Sequence, residues 1–320
     1  MKELHLWNFI LHHLKINNSV ILTTVVHHET GSPGKEGFKM AISSSGATIG
    51  SIGGGAMEYK IIKDSKALLK KNTPVYKIET LNHNRKSSSN KSGLICAGSQ
   101  TNFAIFLTGK NIKTVERISD LIESNKSGKL IFSYKGISVS KNATNGNTYS
   151  FDFNNEFDWV YEESIGSKSF IYVIGCGHVG LAVCKIMSML DFHVTVYDDR
   201  KNLTGLKENT FANKKIISSY ENLGNHIKEG NQTYVVIVTT GYQSDKDSLK
   251  QVINKNVRYI GLMGTRVKIK KIFNEAVKEG ISKNLLKKVK APIGIDINSD
   301  TPEEIAISIA AEIIREKNKV

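Results

Sequence analysis

The sequence predicts an α/β protein in two parts: a mixed α/β N-terminal domain over residues 1–165 and a doubly wound parallel sheet over residues 166–320. Three observations predict it. From Ser169 onward, β-branched runs alternate regularly with helical patterns, the grammar of a parallel sheet covered on both faces. A glycine-rich turn follows the first of those strands directly. Before the boundary, placed in Glu162–Ser169, strands, helices and polar loops follow no fixed alternation. A chain of 320 residues is comfortable for two domains.

In the N-terminal part, Leu4, Trp7, Ile10, Leu11 and Leu14 keep helical spacing, and Asn17-Asn18 breaks it. Val20–Val26 is β-branched and reads as a buried strand. The loop Thr30–Gly37 leads to a second strand, Phe38–Ser43. Gly50–Gly55 then opens a helix from Ala56 to Lys71, and Val75–Ile78 is a short strand. Asn82–Ser92 is polar and reads as a loop. Asn102–Leu107 is a strand, Ile112–Ile122 a helix and Leu130–Tyr134 a strand. Residues 141–157 read as a hairpin or a ragged edge. In the C-terminal part the strands are Phe170–Ile174, Val194–Tyr197, Ile216–Ser218, Tyr234–Val238 and Tyr259–Leu262, each followed by a helical or helix-like stretch.

Composition narrows the function classes. The chain is 40% hydrophobic and 23% charged, ordinary for a soluble globular protein and unlike a disordered one. No apolar run reaches the 18 residues of a membrane span. Glu3, His5, His12 and His13 interrupt any secretory pattern, so no signal peptide is expected. The 44 Lys and Arg exceed the 30 Asp and Glu by 14. That excess is nearly all Lys and spread over both halves, without a nucleic-acid-binding motif, so no nucleic-acid partner is expected. Three cysteines, Cys96, Cys176 and Cys184, make no disulfide framework and no zinc spacing, which fits a reducing cytoplasm and predicts no metal site.

Gly175-Cys176-Gly177-His178-Val179-Gly180 is the sharpest motif: G-x-G-x-x-G between a strand and a helix, as in a Rossmann-like domain. Gly175 permits the tight turn, Gly177 a close approach to pyrophosphate, and Gly180 close helix–strand packing. Asp198 ends the next strand, where a carboxylate meets a ribose diol. It favours NAD over NADP, although Arg200 stands close enough to disturb that preference. His178 either donates to a phosphate or faces solvent at the helix start. Beyond residue 200 the acid/base of a dehydrogenase is not visible; Arg258 and Arg266 are the candidate anchors. In the other half, Gly53, Gly54 and Gly55 present amides at a helix N-terminus, an anion cradle, with Glu58 favoured by the helix dipole. Cys96 lies in a glycine-flanked loop after a basic segment and reads as a reactive thiol or a buried one.

Taken in order, these segments resemble the XdhC/CoxI family of molybdenum-hydroxylase accessory proteins along nearly the whole chain. The resemblance is carried by Thr23–Val26 with Gly31–Met40, Gly50–Glu58, Gly93–Gly98, Gly175–Gly180 with Val194–Arg200, Tyr259–Arg266, and Ala291–Ala306. In the last of these, Ser299 or Asp300 is expected near a helix N-cap. The resemblance implies a chaperone of the molybdenum cofactor that assists its sulfuration and insertion, dimeric and not necessarily a turnover enzyme. Its implied partners are a cysteine desulfurase and a xanthine-dehydrogenase-type apoenzyme. On this basis Cys96 is the candidate reactive residue. Ser51, Gly53, Gly54, Gly55, Glu58, Gly175, Gly177, His178, Gly180, Asp198, Gly264, Arg266 and Asp296 are the candidate cofactor-binding residues. The chain departs from the family at Ala56, where many members carry a second cysteine, and at Tyr242, where His is common. An NAD(P)-dependent oxidoreductase and a nucleotide-gated interaction module are the alternatives.

Overall fold

The computed structural model describes residues 2–82, 98–124, 126–141, 149–166 and 169–319. The chain forms two compact units, Met1–Ser167 and Lys168–Val320.

The N-terminal unit runs α1 (Lys2–Lys15), β1 (Val20–His28), β2 (Lys39–Ser43), β3 (Thr48–Gly50), α2 (Gly55–Lys70), β4 (Tyr76–Asn82), β5 (Ser99–Leu107), α3 (Ile112–Glu123), β6 (Gly128–Ser133), β7 (Gly136–Ser140), β8 (Tyr149–Asn155) and β9 (Asp158–Ile165). Two antiparallel sheets result, in the orders β3-β2-β1-β5-β4 and β7-β6-β9-β8. The helical stripe of α1 places Trp7, Ile10 and Leu14 in a core shared with Val20, Leu22, Phe103, Ile118, Phe132 and Tyr161. The opposite face of the first sheet presents Ile21, Val25, Met40 and Ile42 to Met57 and Leu69 of α2. Of the stretch 141–157, expected as a hairpin or a ragged edge, residues 142–148 lie outside the described residues; Tyr149–Asn155 is one strand, β8, whose partner β9 follows the stretch, paired from Tyr149↔Glu163 to Asn155↔Asp158. In β9, Trp159, Tyr161, Glu163 and Ile165 alternate inward, so one carboxylate enters an apolar face.

The C-terminal unit runs β10 (Phe170–Ile174), α4 (His178–Met189), β11 (His193–Asp198), α5 (Thr204–Glu208), β12 (Lys214–Ile217), β13 (Gly230–Ile237), α6 (Tyr242–Val252), β14 (Val257–Leu262), α7 (Arg266–Lys278), α8 (Lys283–Leu286) and α9 (Pro302–Lys317). All its strands are parallel, in the order β12-β11-β10-β13-β14. One face packs Val173, Val196 and Val236 against α4 and α9; the other packs Ile174, Val235 and Leu262 against α6 and α7. This is a Rossmann-like doubly wound sheet. The helix expected after Ile216 is instead a 3-10 segment, Tyr220–His226. The α9 N-cap is Thr301, one residue past the expected positions. Its hydroxyl accepts from Glu304 N while the Glu304 carboxylate accepts from Thr301 N, a reciprocal cap that Ser299 and Asp300 are too early to make. Among the described residues no helix is long and apolar enough to cross a membrane.

Candidate functional site

In the N-terminal unit the sequence motifs meet. Gly34 lies so close to the turn that a Cβ there would stand 2.3 Å from Gln100 Oε1 and 2.3 Å from Ile52 O. Gly53 has φ 126°, and its Cβ would fall 2.8 Å from Gly34 N. Loop and turn therefore touch backbone to backbone, which a side chain at either glycine would prevent. A Cβ at Gly98 would reach Thr30 O at 2.7 Å, so the strand that follows the Cys96 segment is stacked on the same loop.

The anion cradle expected at Gly53–Gly55 is partly filled by the chain itself. Glu58 turns back from the first turn of α2, and its Oε2 accepts from Ile52 N at 2.9 Å, Gly54 N at 3.1 Å and Ser51 Oγ at 2.7 Å. Ser51 Oγ in turn accepts from Gly53 N at 3.2 Å. Glu58 thus does more than sit favourably in the dipole: it is the anion of the turn. The amides of Gly55 and Ala56, at exposed positions heading α2, have no partner within the helix. Ser51, Gly53, Gly54 and Glu58 are one hydrogen-bonded assembly, and Gly55 follows it as the first residue of α2.

Cys96 lies outside the described residues. The other two thiols are buried. Burial pushes Cys176 upward against a hydrogen bond from Asn209, and pushes Cys184 up to about 12. A thiol so shifted is not a ready nucleophile.

In the C-terminal unit, Gly175 has φ 101° and would bring a Cβ within 2.7 Å of Val238 O, while a Cβ at Gly180 would stand 2.0 Å from Gly175 O. Both glycines are demanded by packing. Gly177 is different: its φ is −72° and a Cβ would meet nothing within 4 Å. His178 is exposed at the first position of α4, beside a groove of about 350 Å³ shared with Leu181, Met189 and Phe211.

Asp198 faces inward instead of outward. Its Oδ2 accepts from Cys176 N at 2.8 Å and Arg200 Nη2 at 2.9 Å; its Oδ1 accepts from Arg200 N at 3.1 Å and Arg200 Nε at 2.9 Å. The carboxylate expected on a ribose diol therefore braces the glycine turn, and Arg200 cancels the charge that would repel a 2′-phosphate. Burial alone would raise the Asp198 carboxyl, but the bonds from Arg200 and the two amides hold it below the ordinary range. A depressed carboxyl contributes stability above its unfolded pKa of about 3.9 and loses it as pH falls through the lower folded value. We predict that Asp198→Asn unfolds more readily at pH 7 by about 2 kcal/mol. The gap to the parent should close as the pH drops below about 4. Denaturant melts at pH 7, pH 3.5 and pH 2 check this, with the gap beginning to narrow at pH 3.5 and smallest at pH 2.

The loops after β10 and β13 flank the point where strand order reverses, where ligands of such sheets bind. There the sequence reading missed a cluster. Thr239 Oγ1 donates to Asp245 Oδ1 at 2.5 Å, and Lys268 Nζ is ion-paired to Asp245 Oδ2. Burial raises the Asp245 carboxyl against the pull of Lys268 and Thr239. A Cβ at Gly264 would lie 3.2 Å from Lys268 Cδ, so a side chain there would crowd the same lysine. Arg266 is exposed and lines a cleft of about 570 Å³ with Phe273 and Pro292. Asp296 is exposed, bonded only weakly to Asn298 N at 3.4 Å. Among the described residues no group of three or more His, Cys, Asp or Glu is placed to hold a metal ion.

Family models match both units: the XdhC Rossmann domain over residues 171–313, and the XdhC and CoxI family over residues 14–81. The chain belongs to the XdhC and CoxI family. It is 23% identical over 327 residues to a probable xanthine dehydrogenase subunit of Bacillus subtilis, covering 96% of each chain. It is also 23% identical over 293 residues to an uncharacterized protein, YqeB, of Escherichia coli, covering 90% of this chain but 42% of that one. The chain thus spans about two fifths of the E. coli relative's length. A crystal structure of a xanthine dehydrogenase from Bacillus halodurans superposes with a TM-score of 0.76 at 20% identity, over 100% of this chain and 97% of the other, a likeness of fold. The XdhC Rossmann match spans Gly175 to Asp296, so the C-terminal candidates lie within the family's own domain. The XdhC and CoxI match spans Ser51 to Glu58 in the same way.

Proposed function

We propose that this chain is an accessory protein that receives the molybdenum cofactor as cargo, assists its sulfuration, and passes it to a xanthine-dehydrogenase-type apoenzyme. The observation that carries the reading is the contact of the Ser32–Gly34 loop with the Ser51–Gly55 turn at the head of α2, with Gly98 packed against Thr30 of the same loop. The amides of Gly55 and Ala56 would receive the cofactor's phosphate, with Glu58 yielding Ile52 N and Gly54 N to it. Cys96 would supply a thiolate to the metal end, a soft ligand suited to such a metal. A cysteine desulfurase would be the sulfur source. The net charge of +14 favours an anionic pterin.

The test is isolation of the full chain under anaerobic conditions from cells that make the cofactor and a molybdenum hydroxylase, followed by oxidation of bound pterin to its fluorescent form. We expect pterin to co-purify, and Cys96→Ser to keep the pterin while client activation falls at least about tenfold. No pterin on the parent chain overturns the reading; unchanged activation by Cys96→Ser removes the thiol from it.

The open space above Gly177 supports a second reading, in which a dinucleotide bound at the C-terminal turn gates partner affinity. A hydride-transfer role is less well supported, because the Asp245 carboxylate near that turn is ion-paired to Lys268. An NADH titration followed by fluorescence tests this reading.

A further inference from the structure

We propose that Gln100 is the positioning residue that holds the Ser51–Gly55 turn in its anion-receiving form; the proposal rests on the anion-receiving reading of that turn. Gln100 is fully buried on β5. Its Oε1 accepts from Ser32 Oγ at 3.1 Å and Gly34 N at 3.2 Å. Its Nε2 donates to Ile52 O at 3.0 Å and Asn102 Oδ1 at 2.8 Å. One carboxamide thereby ties the loop, the turn and the strand together.

The bond to Ile52 O has a geometric consequence. A trans peptide is planar, so its C=O and N–H point in opposite directions. Drawing the Ile52 carbonyl inward onto Gln100 turns the Gly53 N–H outward, where it meets Ser51 Oγ. Ser51 is thereby aligned with the anion position that Glu58 now fills. Without Gln100, this peptide is free to rotate, because Gly53 and its neighbour Gly54 lack the side chains that would resist it.

Asn102 orients the device. Its Oδ1 accepts from Gln100 Nε2, which leaves Gln100 Oε1 to face the loop. Among the described residues its own Nδ2 is buried without a hydrogen-bond partner. An orphaned buried donor is costly, and a leucine there would remove it only by orphaning one N–H of Gln100 Nε2 in turn. Asn102 is accounted for by what its oxygen does to Gln100.

The experiment uses the full chain, with inorganic pyrophosphate as the probe and Glu58→Ala as the background that exposes the turn. Calorimetric titration should show Glu58→Ala binding pyrophosphate and Glu58→Ala/Gln100→Met binding it at least about tenfold more weakly. Equal affinities overturn the proposal. In the otherwise unaltered chain, hydrogen exchange of residues 51–55 should accelerate at least about tenfold in Gln100→Met, with β10 and β13 unchanged. Unchanged exchange at 51–55 overturns the proposal whatever pyrophosphate does, whereas absent binding in Glu58→Ala alone counts against the anion reading. Should Gln100→Met fail to fold, Asn102→Leu serves. It should speed exchange at 51–55 and weaken pyrophosphate, with exchange of β10 and β13 unchanged. A purely structural Gln100 would leave both unmoved.

Discussion

Glu58→Ala should bind inorganic pyrophosphate at least about tenfold more tightly than the parent chain, a difference of about 1.4 kcal/mol. The carboxylate accepts from two amides and a hydroxyl, and any incoming anion competes for those donors. Removing it leaves Ile52 N, Gly54 N and the Ser51 hydroxyl beside the open amides of Gly55 and Ala56, so five donors are available where two were. The same bonds steady the head of α2, whose N-cap, Gly54, makes no side-chain cap bond. The variant should therefore lose about 2 kcal/mol of stability, the worth of charge-assisted bonds together with a helix-terminus charge. Titration calorimetry and a thermal melt measure the two effects. A variant that melts earlier but binds no pyrophosphate would show that Glu58 only caps the helix, and the turn would lose its assignment as an anion site.

The alternation of strands and helices after Ser169 and the spacing of Gly175, Gly177 and Gly180 made the C-terminal fold legible, because both are local patterns. The same holds for α1 and α3, whose apolar stripes match the helical period. What was not legible depends on partners far apart in sequence. Gln100 bonds to Ser32 and Ile52, 68 and 48 residues away, and nothing local marks it. Glu163 receives Lys39 Nζ at 2.6 Å across 124 residues, with Tyr161 Oη donating to the same carboxylate. Burial pushes Glu163 upward, so its place on an apolar strand face is tenable through its partners Lys39 and Tyr161. One signal was present: Trp159, Tyr161, Glu163 and Ile165 alternate, and the lone acid among them announces a buried partner. At Glu58 and Asp198 the sequence placed an acid at the right turn but not its direction. Glu58 closes on amides of the turn that precedes it, whereas Asp198 reaches across from the end of β11 to Cys176 N in the turn after β10 and to Arg200; in both cases the amides are donors left over by a strand-to-helix turn.

The two glycines that end and begin the C-terminal motif's helix turn should respond oppositely to the same added methyl group. Gly180→Ala sets a Cβ 2.0 Å from the Gly175 carbonyl oxygen, a backbone atom that cannot rotate aside. Helix α4 must lift from β10, and the cost should reach about 3 kcal/mol. That corresponds to a melting temperature lower by about 6–12 °C for a unit of this size. Gly177→Ala adds its methyl into open space at a φ of −72° that alanine adopts freely. The unfolded chain loses entropy while the helix loses a tolerated N-cap, so stability should change by less than about 1 kcal/mol. The open space is nonetheless where a dinucleotide's pyrophosphate would approach the amides. If the turn holds such a ligand, Gly177→Ala should bind NADH at least about tenfold more weakly while melting like the parent. Undiminished NADH binding by Gly177→Ala would place the ligand elsewhere. A Gly180→Ala chain that melts normally would mean that helix and strand are not packed at this distance. The pair separates what the fold requires of this motif from what a guest requires, since only a guest is affected by the methyl at position 177.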